Sequence, residues 1–151
     1  MKNMIVGLSI CLLISSSDLY SATNNACYVN DQKGNKFYLT DVSISVEAGG
    51  KVNNNGFLVS ANADSTFSVK FENIVSIKFI GKADIPLKNY ILACVVFTDG
   101  ETNEFYFSIG QTKHRHILSG MSKNIESIIR LEINEIKSIE FMHAGATQNK
   151  K

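Results

Sequence analysis

The sequence has no excess of charge of either sign. Fifteen basic and fourteen acidic residues give a formal net charge of +1. A protein that binds a polynucleotide usually has a basic excess or a basic stripe, because phosphate contacts dominate its affinity. The near-neutral balance therefore argues against nucleic acid as a partner.

Cysteine is scarce, and no Cys-x-x-Cys motif occurs, which disfavours an oxidoreductase of the thioredoxin kind. Cys11 lies in the amino-terminal segment treated below, so Cys27 and Cys94 are the two cysteines of interest. In an oxidising compartment they predict at most one disulfide. The alternative is that Cys94, which lies in an apolar run, is simply a small buried side chain.

No catalytic motif is present. No serine lies in a glycine-rich elbow, and Gly49-Gly50-Lys51 has neither the spacing nor the following helix of a phosphate-binding loop. Ser76 and Ser138 occupy polar positions of alternating segments, as strand residues that face water commonly do. We therefore expect a protein that is not an enzyme and uses no cofactor.

The amino terminus has the order of a secretory signal peptide. Lys2 is followed by an apolar run at residues 4–14 and by serines at 15–17. The run is too short to cross a bilayer as a permanent helix, so we expect a signal peptide within residues 1–22 that is removed on export by cleavage after Ser17, Ser21 or Ala22.

The predicted mature chain is secreted or periplasmic and has no transmembrane segment. A lipoprotein is the alternative, because Cys27 follows Ala26 as a lipidated cysteine would. It is the weaker one, because Asn24 and Asn25 stand where such a site needs leucine or a small residue.

Alternation of apolar and polar residues occurs in two similar segments, 66–79 and 128–141. Each is interrupted by a polar pair and then continues as Ile-x-Ser-Ile-x-Phe. Such alternation is typical of strands with one buried face. The predicted apolar faces consist of Phe67, Val69 and Phe71 in one copy and Ile129, Leu131 and Ile133 in the other.

A turn and a returning strand precede each segment. The first turn contains Gly34 and the second begins with Asp99-Gly100. Residues 35–39 align with 103–107 at an offset of 68, whereas the later segments align at an offset of 62. The difference predicts an insertion in the first copy, within the Gly- and Asn-rich residues 48–56.

These patterns predict an all-β protein made of two tandem four-stranded antiparallel units. We expect one domain at residues 23–143, with repeats at 27–80 and 94–142, and a flexible tail at 144–151. The connection around Pro86 is too short and too apolar to be a free linker, so the repeats should pack together. Each has one apolar face, which favours a β-sandwich or a partly closed barrel.

The hairpin at Asp99 and Gly100, the strand that returns from it and the Ile-rich pair that follows resemble the small Sm-like barrels in pattern. The nucleotide-reading residues of that family have no counterpart at positions that can be matched. The resemblance therefore implies none of the family's function.

A basic cluster is one candidate site. His114 and His116 flank Arg115, and alternate histidines on a strand point to the same face, as in some zinc and copper sites. Such a site needs a third ligand, for which His143, Glu101 and Glu104 are the candidates, but the positive charge of the cluster disfavours a cation. An exposed basic loop is the simpler interpretation.

Two tyrosines are the other candidates. Tyr38 and Tyr106 each follow a phenylalanine, so burial of Phe37 and Phe105 would place both tyrosines on the outer face, where they can stack on sugars or seat a protein. The leading hypothesis is an exported, non-enzymatic β module that binds a protein or a glycan. A metal-binding or hydrolytic protein centred on His114 and His116 is the alternative, and a structural subunit that pairs its edge strands is a third possibility.

Overall fold

Eleven β-strands and two 3-10 turns make up the part of the chain that the computed structural model describes, residues 25–46, 51–53, 55–62, 65–81, 89–109 and 116–143. The strands are β1 (Ala26–Asp31), β2 (Lys36–Val46), β3 (Lys51–Asn53), β4 (Gly56–Asn62), β5 (Ser65–Lys70), β6 (Ile74–Gly81), β7 (Tyr90–Phe97), β8 (Thr102–Ser108), β9 (His116–Ser122), β10 (Ser127–Glu132) and β11 (Ile136–Met142). The 3-10 turns, Phe71–Asn73 and Ile133–Glu135, precede β6 and β11. These ranges contain no α-helix, and the prediction of an all-β protein is confirmed.

All the strands belong to one curled antiparallel sheet, a half-barrel. Ten of them follow the order β10-β9-β2-β1-β11-β6-β7-β8-β4-β5, and β3 pairs with β2 beside this path. The arrangement differs from a sandwich of two separate four-stranded units. The reason is that β6 and β11 pair with each other across the middle and join both sides into one sheet.

The sheet has two lobes, each built from both halves of the chain. The first lobe contains β10, β9, β2, β1 and β11, and the second contains β6, β7, β8, β4 and β5. The β1–β2 hairpin of the first half thus pairs with β9 and β11 of the second half. The β7–β8 hairpin pairs in turn with β6 and β4 of the first half.

The pairing pattern is the same in both lobes. Ile77 lies opposite Ile139, and the hairpin residues beside them are Val95 and Val29, which are 66 residues apart. Gly34 and Gly100, with φ of 88° and 90°, close the two hairpin turns at the same offset of 66. The residues that lie beside the central pair are thus 66 positions apart, where the sequence alignment had an offset of 68, and the two central residues themselves are 62 apart.

One apolar cluster fills the inner face of the sheet. The Phe57 ring contacts those of Phe71, Phe107 and Phe141, with centroids 5.1, 5.4 and 6.4 Å apart. Aromatic pairs at these separations add stability beyond their buried area. The core is therefore shared between the lobes.

All six residues of the predicted apolar faces point inward, and Phe67, whose ring lies 5.2 Å from that of the buried Phe105, is the least covered of them. Val69, Phe71 and Ile133 are buried, and Ile129 and Leu131 pack half-buried against the core. Phe67, in contrast, is 38% exposed, because it lies on β5, the last strand of the sheet.

Cys27 and Cys94 are both free thiols, and they lie on opposite faces of the sheet. Cys27 is fully buried on the inner face. Cys94 lies between the inward residues Ala93 and Val95, so strand alternation places it on the outer face. Side chains on opposite faces of a sheet cannot approach to bonding distance. The predicted disulfide is therefore absent from this arrangement.

Several predictions concern residues outside the described part of the chain, namely the signal peptide at 1–22, the connection around Pro86 and the tail at 144–151. Within the described part, no helix is long and apolar enough to span a membrane. The strands that flank Pro86, β6 and β7, pair antiparallel with each other. The chain crosses between lobes elsewhere, between β2 and β4 and again between β8 and β9.

Candidate functional site

A cleft of about 450 Å³ opens on the outer face of the first lobe. It is lined by Ala26, Tyr38, Thr40, Asp41, Lys123, Met142 and His143. Its volume is within the range of small-molecule sites, and its lining combines an aromatic ring, a thioether, a hydroxyl and groups of both charges.

Strand alternation positions the floor of the cleft. Cys27, Leu39 and Phe141 point into the core, so Ala26, Tyr38 and Met142, their neighbours along the strands, point outward. Ala26 on β1 lies opposite Met142 on β11. Three adjacent strands thus contribute to one surface.

Tyr38 is the aromatic side chain of the cleft, and Tyr28 packs against it from the neighbouring strand. Tyr38 lies opposite Tyr28, and their ring centroids are 5.0 Å apart at an angle of 48°. The Lys123 ammonium lies 5.9 Å from the Tyr38 centroid, a cation–π contact of roughly 0.5–1 kcal/mol at such an exposed site. Tyr28 is 45% exposed. A flat partner can therefore reach this pair after a small movement of Lys123.

A β-bulge in β2 places a carboxylate at the rim. The pairing of β2 with β9 shifts between Thr40 and Ser43, and within the bulge Asp41 adopts a left-handed φ of 53°. Aspartate tolerates this conformation better than most residues, and bulges commonly re-aim a side chain beside a site. The Asp41 side chain is exposed.

His143 lines the cleft, and a hydrogen bond to the backbone fixes the tautomer of its ring. Its Nε2 lies 2.7 Å from the carbonyl oxygen of Ile74. Because a carbonyl oxygen can only accept, Nε2 must carry the hydrogen, which leaves Nδ1 as an acceptor in the neutral ring. The bond ties the end of β11 to the start of β6 and holds the imidazole in place.

The basic cluster is only partly within the described residues. His114 and Arg115 lie outside them. His116 begins β9 and is 4% exposed, and its Nδ1 lies 3.1 Å from the Ser108 carbonyl oxygen. It is therefore a buried residue rather than part of an exposed loop.

His116 and His143 do not share a site. His116 lies five residues along β9 from Met121, which pairs with Thr40 beside the cleft. This corresponds to roughly 17 Å in an extended strand. In the described residues no group of three or more His, Cys, Asp or Glu side chains could hold a metal ion.

Tyr106 and Tyr38 are not brought together. Tyr106 lies half-buried on the second lobe, opposite Leu92 and Ser60. At the offset of 66 its counterpart is Thr40, and the counterpart of Tyr38 is Glu104. The two tyrosines therefore belong to different lobes and to different positions.

Sequence reasoning missed Asp41, Lys123 and Met142. The bulge has a detectable sequence signal, since the buried residues of β2 are Leu39, Val42 and Ile44, and the step from 39 to 42 breaks the period of two. Lys123 and Met142 carry no such signal, because only the folded sheet brings them beside Tyr38.

Comparisons of this chain with models of protein families, with curated proteins and with solved structures find no match. The function is therefore argued from the cleft itself.

Proposed function

We propose that the protein is an exported, non-enzymatic β module that binds a glycan in the cleft beside Tyr38. The observation that carries the proposal is that the ring of Tyr38 lines the cleft together with Asp41 and Lys123, and that the exposed Tyr28 ring packs beside it. The apolar face of a pyranose ring stacks on an aromatic ring, and its hydroxyls bond to carboxylate, ammonium and hydroxyl groups.

The charges of the cleft favour a neutral sugar. Asp41 and Lys123 contribute one charge of each sign, so neither a polyanion nor a polycation is preferred. A sugar hydroxyl can donate to the Asp41 carboxylate and accept from Lys123, and hydrogen bonds to charged groups contribute more than those between neutral groups. The volume of about 450 Å³ suits one or two sugar rings.

The number of carboxylates among the described residues of the cleft supports binding without turnover. Glycoside hydrolysis usually needs two carboxyl groups that flank the scissile bond, one as acid and one as base or nucleophile. Among the described residues that line the cleft, Asp41 is the one carboxylate. This set of side chains suits recognition better than catalysis.

Export is the second part of the proposal and rests on the sequence of residues 1–22. Fractionation of expressing cells, followed by amino-terminal sequencing of the mature protein, tests it. We expect the protein outside the cytoplasm with residues 1–22 removed. A cytoplasmic protein that retains Met1 would contradict this part alone.

We further infer that the two lobes derive from an internal duplication whose copies have exchanged their hairpins. The matched strand order and the constant offsets of 62 and 66 support this inference. The outer surfaces of the lobes have diverged, because Glu104 and Ser60 occupy the places of Tyr38 and Met121. The residues that form the cleft are thus specific to the first lobe, whereas the strand order is common to both lobes.

Titration calorimetry with a panel of neutral mono- and disaccharides tests glycan binding. We expect Tyr38→Ala and Asp41→Asn each to weaken binding at least tenfold, and asparagine tolerates the left-handed backbone at position 41. Tyr106→Ala is the matched control, since it removes a half-buried outer tyrosine from the other lobe, and it should leave affinity unchanged.

Three results would overturn the glycan proposal. One is the absence of saccharide binding across the panel, and another is binding that Tyr38→Ala leaves intact. The third is a protein partner captured through Tyr38 with no competition by any sugar. Release of a shortened glycan by the purified protein would overturn the non-enzymatic part.

A further inference from the structure

An apolar row of side chains runs out of the cleft across the outer face of the first lobe. It crosses five neighbouring strands from β10 to β11 and consists of Ile128, Met121, Thr40, Ala26 and Met142. The last three members line the cleft, whereas Met121 and Ile128 lie beyond it. The apolar row therefore connects the cleft with the edge of the sheet.

The part of the apolar row outside the cleft is open to solvent. Ile128 is 65% exposed and Met121 is 39% exposed. The hydroxyl of Thr40, the polar group of the row, lies 3.5 Å from the Met121 carbonyl oxygen and so has a partner in the backbone. Contiguous apolar surface that continues from a pocket is typical of an interaction site.

The apolar row is about one side chain wide. Apart from the tyrosines of the cleft, its described neighbours on the same face of the strands are polar or charged, namely Ser119, Arg130 and Glu140. Five strands about 4.8 Å apart, with same-face residues about 7 Å apart, give the row an area of roughly 150 Å². A stable protein interface needs about 800 Å² from each partner. The row therefore suits a narrow ligand better than a protein.

The chemistry of the apolar row fits a hydrocarbon chain. None of its five members is charged, and a chain laid on them gains free energy in proportion to the apolar area removed from water. Methionine is flexible and adapts to apolar ligands of irregular shape. From Thr40 to Ile128 the row covers two strand spacings, about 10 Å, so a chain of several methylenes that leaves the cleft can contact both Met121 and Ile128.

We propose that the glycan in the cleft carries an alkyl chain that lies over Met121 and Ile128, so that the ligand is a neutral glycolipid. This inference rests on the proposed glycan binding and adds the class of glycan. Tyr38 and Thr40 are same-face neighbours on β2, so a chain attached to a sugar that stacks on Tyr38 starts at the row. The sugar and the chain use different side chains, and their contributions can be measured separately.

Titration calorimetry with methyl, butyl, hexyl and octyl glucosides and galactosides, each below its micelle concentration, tests the proposal. We expect the affinity to rise about twofold for each added methylene, because a chain on an open row is about half-buried. The double variant Met121→Gln, Ile128→Gln should abolish this rise and leave the affinity for the methyl glycosides unchanged. Ile80→Gln is the matched control, since it makes the same kind of change at an exposed site of the second lobe, and it should keep the full rise.

The outcomes separate this inference from the glycan proposal. If the methyl glycosides bind and chain length adds nothing, or if the double variant keeps the rise, the inference is overturned and the glycan proposal stands. A sugar-free amphiphile, the octyl ether of tetraethylene glycol, should bind at least tenfold more weakly than octyl glucoside or galactoside. Equal binding of this amphiphile would overturn the inference, because the row would then bind a chain that carries no sugar. If no glycoside binds at all, both proposals are overturned.

Discussion

Ile77 and Ile139 lie opposite each other at the middle of the sheet and are both fully buried. They occupy corresponding places in the strand order of the two lobes, so the two side chains have similar surroundings. We expect Ile77→Ala and Ile139→Ala to lower the free energy of unfolding by similar amounts, about 2–5 kcal/mol each. Urea unfolding measures this. Ile80→Ala, at a site 55% exposed, is the control and should cost less than about 0.5 kcal/mol.

The two hairpin turns give a second comparison. Gly34 and Gly100 have φ near 90°, and a Cβ added at either position would meet no atom within 4 Å. Substitution therefore adds backbone strain without a clash. We expect Gly34→Ala and Gly100→Ala each to destabilise the protein by about 1 kcal/mol in thermal or urea unfolding. Costs that differ by more than about 1 kcal/mol would argue against equivalent hairpins.

The cysteines differ in reactivity because they face opposite sides of the sheet. Burial raises the pKa of the Cys27 thiol to about 12, from an ordinary value of 9.0. With a maleimide reagent and protein that lacks residues 1–22, and hence Cys11, we expect labelling of the native fold at Cys94 alone, whereas the unfolded protein should react at both remaining thiols. Labelling of native Cys27 at the rate of Cys94 would contradict the placement of β1.

The Cys27 thiol also predicts a loss of stability at alkaline pH. Above pH 9 the unfolded state releases this proton while the folded state retains it, so stability falls as the pH rises toward 12. The full effect corresponds to roughly 4 kcal/mol at 1.36 kcal/mol per pKa unit. Urea unfolding between pH 8 and 10.5 should therefore show a steeper decline for the natural chain than for Cys27→Ala. Equal slopes would refute the link.

Asp31 predicts a loss of stability in acid. The Asn35 side-chain amide, with backbone N–H groups of Asn35 and Lys33, holds the pKa of the Asp31 carboxyl below its usual value against the opposing effect of burial. Its contribution is present above the unfolded-state pKa of about 3.9 and is lost as the pH falls through the folded value. Asp31→Asn should therefore unfold with a shallower dependence on pH below about 4.

Local pattern was sufficient to predict the strands and much of the core. Alternation in residues 66–79 and 128–141 correctly indicates that Phe71 and Ile133 are buried. The two repeated segments also predict the corresponding strands at the middle of the sheet. This succeeds because strand periodicity is a property of neighbouring residues, and burial of one face enforces it.

The partners of each strand could not be predicted in the same way. Nothing in the order of residues shows that the β1–β2 hairpin pairs with β9 and β11, because this pairing depends on where the two connections between lobes lead. The same limit applies to the cleft. Lys123 and Met142 come beside Tyr38 only through the pairing of β2 with β9 and of β1 with β2 and β11, so the chemistry of the site is a consequence of long-range pairing.

The pairing of Ala26 with Met142 has one more consequence. The first and last strands in chain order, β1 and β11, are neighbours in the sheet and run antiparallel. A short peptide could therefore join the end of β11 to the start of β1 without disturbing the sheet. A circularly permuted chain with that join, opened at the Asp99–Gly100 turn, should therefore reach the same fold. Within residues 26–142 the order in which the strands follow one another along the chain can thus be changed without changing which strands pair.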